Sequence, residues 1–277
     1  MNQIFQGILS PDTDPMGAAI QDYHTHSIRK KKISSRLIVH SSQFDDDYIP
    51  LKTLFRSYNQ MPMLEKIALD HSIERIKASS SSLKILDVGA GSGCHSLELA
   101  LRAKSTEGLL NSEGPKITSI DISPLSVDTM KERGVSNPML VNIFDEKFEG
   151  QFDIILMLMN GAGIIGKIDN LPFFFSRMKK LLSANGEILM DSSDLKYLFE
   201  EEDGSFLIDI SGSYYGEVDF QMEYKPSPKH SIKGSSFDWL YIDFDTLALY
   251  AKQYGFEARL IKTGEHWDYL VSLSLCD

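Results

Sequence analysis

The sequence has only two cysteines, Cys94 and Cys276, among its 277 residues. Two thiols provide neither a disulfide framework nor the four-ligand pattern of a structural zinc site. The chain also lacks an apolar run close to the ~20 residues that span a membrane. Its first residues lack the charged start and apolar core of a signal peptide. We therefore expect a soluble, cytoplasmic protein without a membrane partner.

Positive charge is scarce as well. Lysine and arginine number 28 against 39 aspartates and glutamates, which gives a net charge of -11. Proteins that bind the phosphates of nucleic acids usually present a basic face, so this balance argues against a nucleic-acid partner. A hydrophobic content of 42% is nevertheless enough for a sizeable core in one α/β domain with elaborations.

A metal motif is weakly indicated at one place only. In "DYHTH", Asp22, His24 and His26 alternate and would lie on one side of a strand. This group lacks a fourth ligand and lacks the spacing of ligands on a helix. We therefore predict no metal site.

The apolar pattern divides the chain near residue 79. Residues 60–78 carry apolar side chains at three- and four-residue steps, which predicts a helix, and "SSSS" then interrupts the pattern. The residues before 60 show no clear period. We predict an N-terminal segment with a cap helix over 1–78 and a main domain over 79–277.

The main domain alternates apolar strands with amphipathic helices. The strands are predicted at 83–88, 116–121, 138–142, 152–159 and 186–193. The helices between them are predicted at 95–104, 123–134 and 170–183. Such alternation predicts a parallel sheet with right-handed crossovers.

The alternation of strands and helices ends at about residue 205. Residues 205–242 alternate aromatic and polar side chains around a turn-rich loop, which predicts antiparallel strands inserted into the domain. The alternative is that the aromatic residues serve sheet packing only. A helix over 243–256 and two final strands complete the chain.

The first strand of the main domain runs into a glycine turn. "ILDVGAGSG" places Gly89, Gly91 and Gly93 between a strand and a helix. Glycine permits positive φ and close ligand approach, and the helix start offers free amide donors. A dinucleotide site reads G-x-G-x-x-G, whereas here the third glycine comes one residue early. Asp87 before the turn would repel a pyrophosphate but suits an ammonium group, so the motif favours S-adenosylmethionine over NAD.

Asp121 ends the next predicted strand in "SIDIS". A carboxylate at this position accepts hydrogen bonds from the two ribose hydroxyls of a nucleoside. NAD and S-adenosylmethionine would both use it, and the alternative is a cap for the following helix.

The motifs "ILDVGAGSG", "SIDIS", "LVNIF" and "FDIILMLMNGAG" resemble those of class I S-adenosylmethionine-dependent methyltransferases. The chain is also similar to a group of uncharacterised bacterial methyltransferase-like proteins. The resemblance implies a Rossmann-like α/β fold with a seven-stranded, mostly parallel sheet whose last strand is antiparallel. Here that fold would carry an N-terminal helical cap and the inserted antiparallel segment.

The resemblance also implies roles for particular residues around the cofactor. They are Asp87 and the turn Gly89, Ala90, Gly91 and Gly93 at the methionine part, Asp121 at the ribose, Ile122, Asn142 and Ile143 at the adenine, and Met159 and Asn160 at the sulfonium or the acceptor. Arg56 would pair with the methionine carboxylate or form a surface salt bridge.

Three side chains are candidate bases for an acceptor that must lose a proton: Asp194, Tyr215 and Glu217. We predict an enzyme that transfers a methyl group from S-adenosylmethionine to an oxygen or nitrogen atom of a small molecule. The alternatives are a sensor that binds S-adenosylmethionine without transfer, and an NAD-dependent oxidoreductase.

Overall fold

The computed structural model describes residues 6–29, 35–105, 114–208 and 212–276. Its described helices are α1 (Pro15–Ile28), α2 (Met63–Ala78), α3 (Cys94–Ser105), α4 (Pro124–Glu132), α5 (Leu171–Leu181) and α6 (Phe244–Gln253). Its described strands are β1 (Arg36–His40), β2 (Asp47–Ile49), β3 (Lys84–Val88), β4 (Lys116–Asp121), β5 (Pro138–Leu140), β6 (Phe152–Met157), β7 (Leu182–Ser193), β8 (Glu217–Ser227), β9 (His230–Lys233), β10 (Phe237–Leu240), β11 (Phe256–Thr263) and β12 (Asp268–Leu275). Within the described ranges, every helix is too short or too polar to cross a bilayer.

The main sheet has seven strands in the order β11-β12-β7-β6-β3-β4-β5. The strands β7, β6, β3, β4 and β5 run parallel to one another, and β12 runs antiparallel to both β7 and β11. This confirms the Rossmann-like sheet with an antiparallel last strand. Because the parallel strands end at one edge, the residues that follow β3, β4 and β6 lie close together.

Successive residues of the central strands bury their side chains on opposite faces of this sheet. In β6, Ile155 and Met157 join the core with α5 and α6, whereas Ile154 and Leu156 join the core with α2 and α3. A strand buried on both faces must be apolar throughout, as "FDIILM" nearly is.

A second, antiparallel sheet has the order β10-β8-β1-β2, with β9 also paired to β8. The inserted segment therefore does not form this sheet alone, because β1 of the N-terminal segment pairs with β8. Strands from both sides of residue 79 share one sheet, and the division of the chain there stays a prediction. Residues 209–211 of the predicted insertion lie outside the described residues.

The structure corrects the interpretation of the first 60 residues. Their lack of a clear period hid α1, β1 and β2. Asp22, His24 and His26 lie on α1 and not on a strand, so alternate positions do not share a face. The Asp22 carboxylate instead accepts a hydrogen bond from Tyr224 at 2.7 Å. Among the described residues there is no group of three or more potential metal ligands.

Asp14 joins the N-terminal segment to the main domain. It is fully buried, and one carboxylate oxygen accepts a hydrogen bond from the N–H of Gly17 at 2.8 Å, which caps α1. The other oxygen accepts from the Ser123 hydroxyl at 2.5 Å. The Ser123 oxygen in turn accepts from the N–H of Ser126 at 2.9 Å and caps α4. One carboxylate thus fixes two helix starts.

We expect Asp14→Ala to lower the free energy of unfolding by about 1–2 kcal/mol, the usual effect of losing a helix cap. Asp14→Asn keeps an oxygen that accepts a hydrogen bond and should lose less. Urea unfolding followed by circular dichroism measures the difference. The control is Asp12→Ala, because Asp12 is exposed in the preceding turn. Equal stability of the Asp12 and Asp14 variants would contradict the capping role.

Candidate functional site

A cavity of about 1570 Å³ opens at the edge where β3, β4 and β6 end. Ten of the residues predicted to hold the cofactor line it: Arg56, Gly89, Ala90, Gly91, Asp121, Ile122, Asn142, Ile143, Met159 and Asn160. Residues of the second sheet and of the loop between β1 and β2 line the same cavity. One cavity therefore joins the predicted cofactor residues to the inserted segment.

The glycine turn after β3 places bare backbone on this cavity. Gly91 has a φ of 55°, a left-handed conformation that side chains with a Cβ rarely adopt. Gly93 also has positive φ. Its lack of a side chain serves packing, because a Cβ there would clash with Val135. Gly93 therefore shapes the turn from behind and does not line the cavity.

Asp121 faces the cavity from the end of β4. Its two oxygens accept hydrogen bonds from the N–H groups of Gly91 and Ser123, each at 2.8 Å. Burial raises the pKa of Asp121 to about 6. A carboxylate has about four lone-pair sites, so two remain for hydroxyl groups of a ligand. This donor set fits the ribose of a nucleoside.

Residues before α1 cover the neighbouring part of the cavity, and no pattern in the sequence indicated this. The N–H of Leu9 donates to the carbonyl of Ile122 at 2.9 Å, and the Asn142 amide donates to the carbonyl of Gln6 at 2.6 Å. The Asn142 oxygen also accepts from the N–H of Phe144 at 2.9 Å. Gln6 and Leu9 thus bind two of the three residues predicted to lie at the adenine.

The turn after β6 is strained. Met159 and Asn160 have φ values of 69° and 56°, which non-glycine residues adopt at a cost and mostly at functional sites. The Asp191 carboxylate fixes this turn by accepting from the N–H of Gly161 at 2.9 Å. The Ser193 hydroxyl donates to the Asn160 side chain at 3.2 Å. These hydrogen bonds therefore fix the backbone conformation of Met159 and Asn160, which line the cavity.

A chain of alternating charges lies behind the glycine turn. Buried Glu65 accepts hydrogen bonds from Arg56 Nη2 and His95 Nε2, each at 2.7 Å. His95 Nδ1 lies 3.9 Å from the Asp87 carboxylate. Burial alone lowers the pKa of His95, but the hydrogen bonds and charges of Asp87 and Glu65 raise it to about 10. His95 is therefore a cation at neutral pH.

Asp87 itself does not line the cavity. It is 1% exposed and accepts a hydrogen bond from the Ser96 hydroxyl at 2.6 Å. Asp87 therefore lies behind the glycine turn, and its predicted place at the methionine part of the cofactor stays a prediction. Its carboxylate supports the start of α3 and the charge of His95.

Arg56 combines two contacts with one unused donor. Its salt bridge with Glu65 is buried, not on the surface. Its Nη1 donates to the carbonyl of Thr53 at 2.6 Å, whereas its buried Nε has no hydrogen-bond partner. A buried donor without a partner beside a cavity fits an anionic group of a ligand. The predicted pairing with a carboxylate therefore agrees with this geometry.

The three predicted bases lie elsewhere. Asp194 accepts from the Tyr215 hydroxyl at 2.8 Å, and both line a separate cavity of about 540 Å³. Glu217 accepts from the N–H of Ile168 at 2.9 Å and lines neither cavity. Burial raises the pKa of Tyr215 above its ordinary value, which disfavours a phenolate. None of the three is placed to take a proton from a molecule bound in the main cavity.

Comparisons with known proteins agree with this geometry. A family model described as a methyltransferase domain matches residues 79–243. No curated protein gives a match. The chain is similar to an S-adenosylmethionine-dependent methyltransferase from Bacteroides fragilis solved with S-adenosyl-L-homocysteine. The two are 51% identical over 98% of each chain, with a TM-score of 0.81.

Two more distant structures share the fold alone. A methyltransferase from Clostridium acetobutylicum is 12% identical over 79% of this chain and 94% of its own, with a TM-score of 0.55. The sugar N-methyltransferase KedS8 from Streptoalloteichus is 14% identical over 86% of this chain and 97% of its own, with the same TM-score of 0.55.

Proposed function

The chain belongs to the class I S-adenosylmethionine-dependent methyltransferases, and we propose that its acceptor is an oxygen or nitrogen atom of a small molecule. The observation that carries this proposal is the size and continuity of the main cavity. A site for one small ligand usually measures about 300–1,000 Å³, whereas this cavity measures about 1570 Å³. It therefore has room for a cofactor at the glycine turn and for an acceptor at the second sheet.

S-adenosylmethionine supplies a methyl group that its sulfonium already activates. In the proposed arrangement, Asp121 binds the ribose, and the unused Nε of Arg56 binds the methionine carboxylate. Ile122, Asn142 and Ile143 surround the adenine, with residues 6–14 behind Asn142. The turn at Met159 and Asn160 lies between this end and the acceptor end.

Because the methyl group is already activated, the main task of the protein is to position the acceptor and the cofactor relative to each other. It must hold the acceptor atom in line with the methyl–sulfur bond and keep water away from both. Orientation of this kind provides a large share of the rate enhancement in bimolecular reactions. The strained, hydrogen-bonded turn at Asn160 is suited to that task because it is rigid.

The test is transfer of a tritiated methyl group from S-adenosylmethionine to the small-molecule fraction of a cell extract. We expect a labelled product and an equal amount of S-adenosylhomocysteine. Asp121→Asn, which removes the charge that faces the ribose, should reduce cofactor affinity by about tenfold, a usual cost of losing a charged hydrogen-bond acceptor. Tight cofactor binding without any labelled product would contradict transfer and favour a sensor.

A further inference from the structure

We propose that the acceptor is a small organic amine that carries a positive charge in solution. This inference rests on the proposed function and deepens it. Two surfaces at the acceptor end of the main cavity carry it. The aromatic wall consists of Phe220, Phe237, Trp239 and Tyr241, and the acidic loop consists of Asp45, Asp46 and Asp47.

The aromatic wall is a continuous row of rings. Phe237, Trp239 and Tyr241 alternate along and just beyond β10, so they lie on one face of the sheet. Phe220 on β8 is the register partner of Phe237. Centroids of Phe237 and Trp239 are 6.0 Å apart, and Phe220 lies 6.3 Å from both Phe237 and Tyr241. All four line the cavity.

The wall stands directly against the turn that we place at the methyl group. The Trp239 indole packs on Gly163, where a Cβ would overlap the ring. Gly163 belongs to the short helical turn Gly161–Ile165 that follows Met159 and Asn160. An acceptor that lies on the wall is therefore held next to this turn. The faces of aromatic rings attract cations.

The acidic loop adds negative charge at the same end. Asp45 and Asp46 precede β2 and Asp47 begins it; all three line the cavity, as does Asp238 on β10. Asp46 is hydrogen-bonded to His40 at 2.8 Å, and Asp238 pairs with Lys167 at 3.4 Å, which neutralises part of this charge. Asp45 and Asp47, unlike Asp46, form no ion pair with another of the described residues.

Positive charge in the cavity lies beside the glycine turn, directly after which His95 stands on α3. Of the described residues that line it, Arg56 and His95 carry positive charge at neutral pH, and both bind Glu65. The other basic side chain among the described residues that line the cavity is the imidazole of His266. A carboxylate or phosphate on the acceptor would thus meet carboxylates without a strong cation. A protonated amine would be attracted, and focused charge of this kind also speeds its association.

The transfer step is chemically complete with an amine. The ammonium first releases a proton to water, which frees the nitrogen lone pair. That pair forms the new N–C bond while the methyl–sulfur bond breaks, and sulfur keeps the bonding electrons. The methylated nitrogen is then an ammonium again and leaves as a cation. No oxidant, reductant or metal is required.

The experiment compares matched acceptors with tritiated S-adenosylmethionine. Each set shares one carbon framework and carries an amine, an alcohol or a carboxylate, with alicyclic, linear and sugar frameworks included. We expect kcat/KM for amines to exceed that for the matched alcohols and carboxylates by at least about tenfold, and to fall as ionic strength rises. Greater turnover of an alcohol or carboxylate would overturn the amine proposal while leaving the proposed function intact. Failure of every acceptor, with cofactor still bound, would overturn both.

Two sets of variants locate the effect. Asp45→Asn, Asp46→Asn and Asp47→Asn combined should reduce kcat/KM for amines by about tenfold and flatten its dependence on salt. The control is Glu200→Gln, Glu201→Gln and Glu202→Gln, which removes three exposed carboxylates that line neither cavity. Phe237→Leu removes one ring of the aromatic wall, keeps Trp239, which packs on Gly163, and should also reduce kcat/KM for amines. Affinity for S-adenosylhomocysteine should stay unchanged in all of them. Equal losses in the two triple variants would overturn the role of the acidic loop.

Discussion

Gly91→Val is expected to raise the Kd for S-adenosylhomocysteine at least about 100-fold, which corresponds to about 3 kcal/mol. Two physical effects add. The φ of 55° at Gly91 is a conformation in which a β-branched residue is strained. A Cβ at this position points toward Ile20, 3.7 Å away, and both residues line the cavity, so the valine methyl groups would occupy space that the cofactor needs.

The same substitution disturbs the ribose site. The N–H of Gly91 donates to Asp121 at 2.8 Å, and a shift of the turn would misalign this carboxylate. Titration calorimetry measures the affinity, and circular dichroism checks that the variant folds. Gly134→Val is the matched control, because Gly134 has a φ of 84° with open space around it and does not line the cavity. Equal affinity of the two variants would refute a cofactor site at this turn.

Local spacing explains why this part of the site could be predicted from the sequence. The residues Gly89, Gly91 and Asp121 each follow a strand that the apolar pattern reveals, and parallel strands end at a common edge. The same logic located Met159 and Asn160 after β6. Position in the chain and position in space are closely linked in an alternating α/β domain.

Long-range pairing explains why β1 could not be predicted from the sequence. β1 is stabilised by β8, where Leu37 is opposite Tyr224, about two thirds of the chain length away. A five-residue strand with a partner so distant leaves no period for a local pattern to detect. Asp194 and Tyr215 have side chains suited to base catalysis, but they bond to each other beside a different cavity. Residue type predicted chemistry there, whereas the direction of the side chain depends on the tertiary structure.

Distance also hid Glu65, whose importance appears only in the structure. In the sequence it is one polar residue of the α2 pattern. In the fold it is 3% exposed and binds Arg56 and His95 together, next to Asp87 behind the glycine turn. A buried carboxylate that balances two buried cations cannot be removed alone without leaving charge unpaired.

Glu65→Ala is therefore expected to lower the free energy of unfolding by about 3–5 kcal/mol, the usual result of removing one partner of a buried ion pair. Glu74→Ala is the control on the same helix. Its pairing with Lys77 at 2.9 Å is exposed, and such surface pairs contribute about 0–1 kcal/mol. Urea unfolding at pH 7 measures both variants. A loss below 1 kcal/mol for Glu65→Ala would show that the two cations relax into solvent.

The pH dependence of stability gives a second measurement of the same network. The folded-state pKa of His95 is raised from 6.5 to about 10, so its proton stabilises the folded protein. This contribution is complete below about pH 6.5 and is lost as the pH rises toward 10, at about 1.4 kcal/mol per pH unit. We expect the unfolding free energy of the wild type to fall over this interval, and His95→Gln to fall less steeply. If the unfolding free energies of the two proteins fall equally steeply with pH, His95 is neutral in the folded protein and Asp87 has no cation beside it.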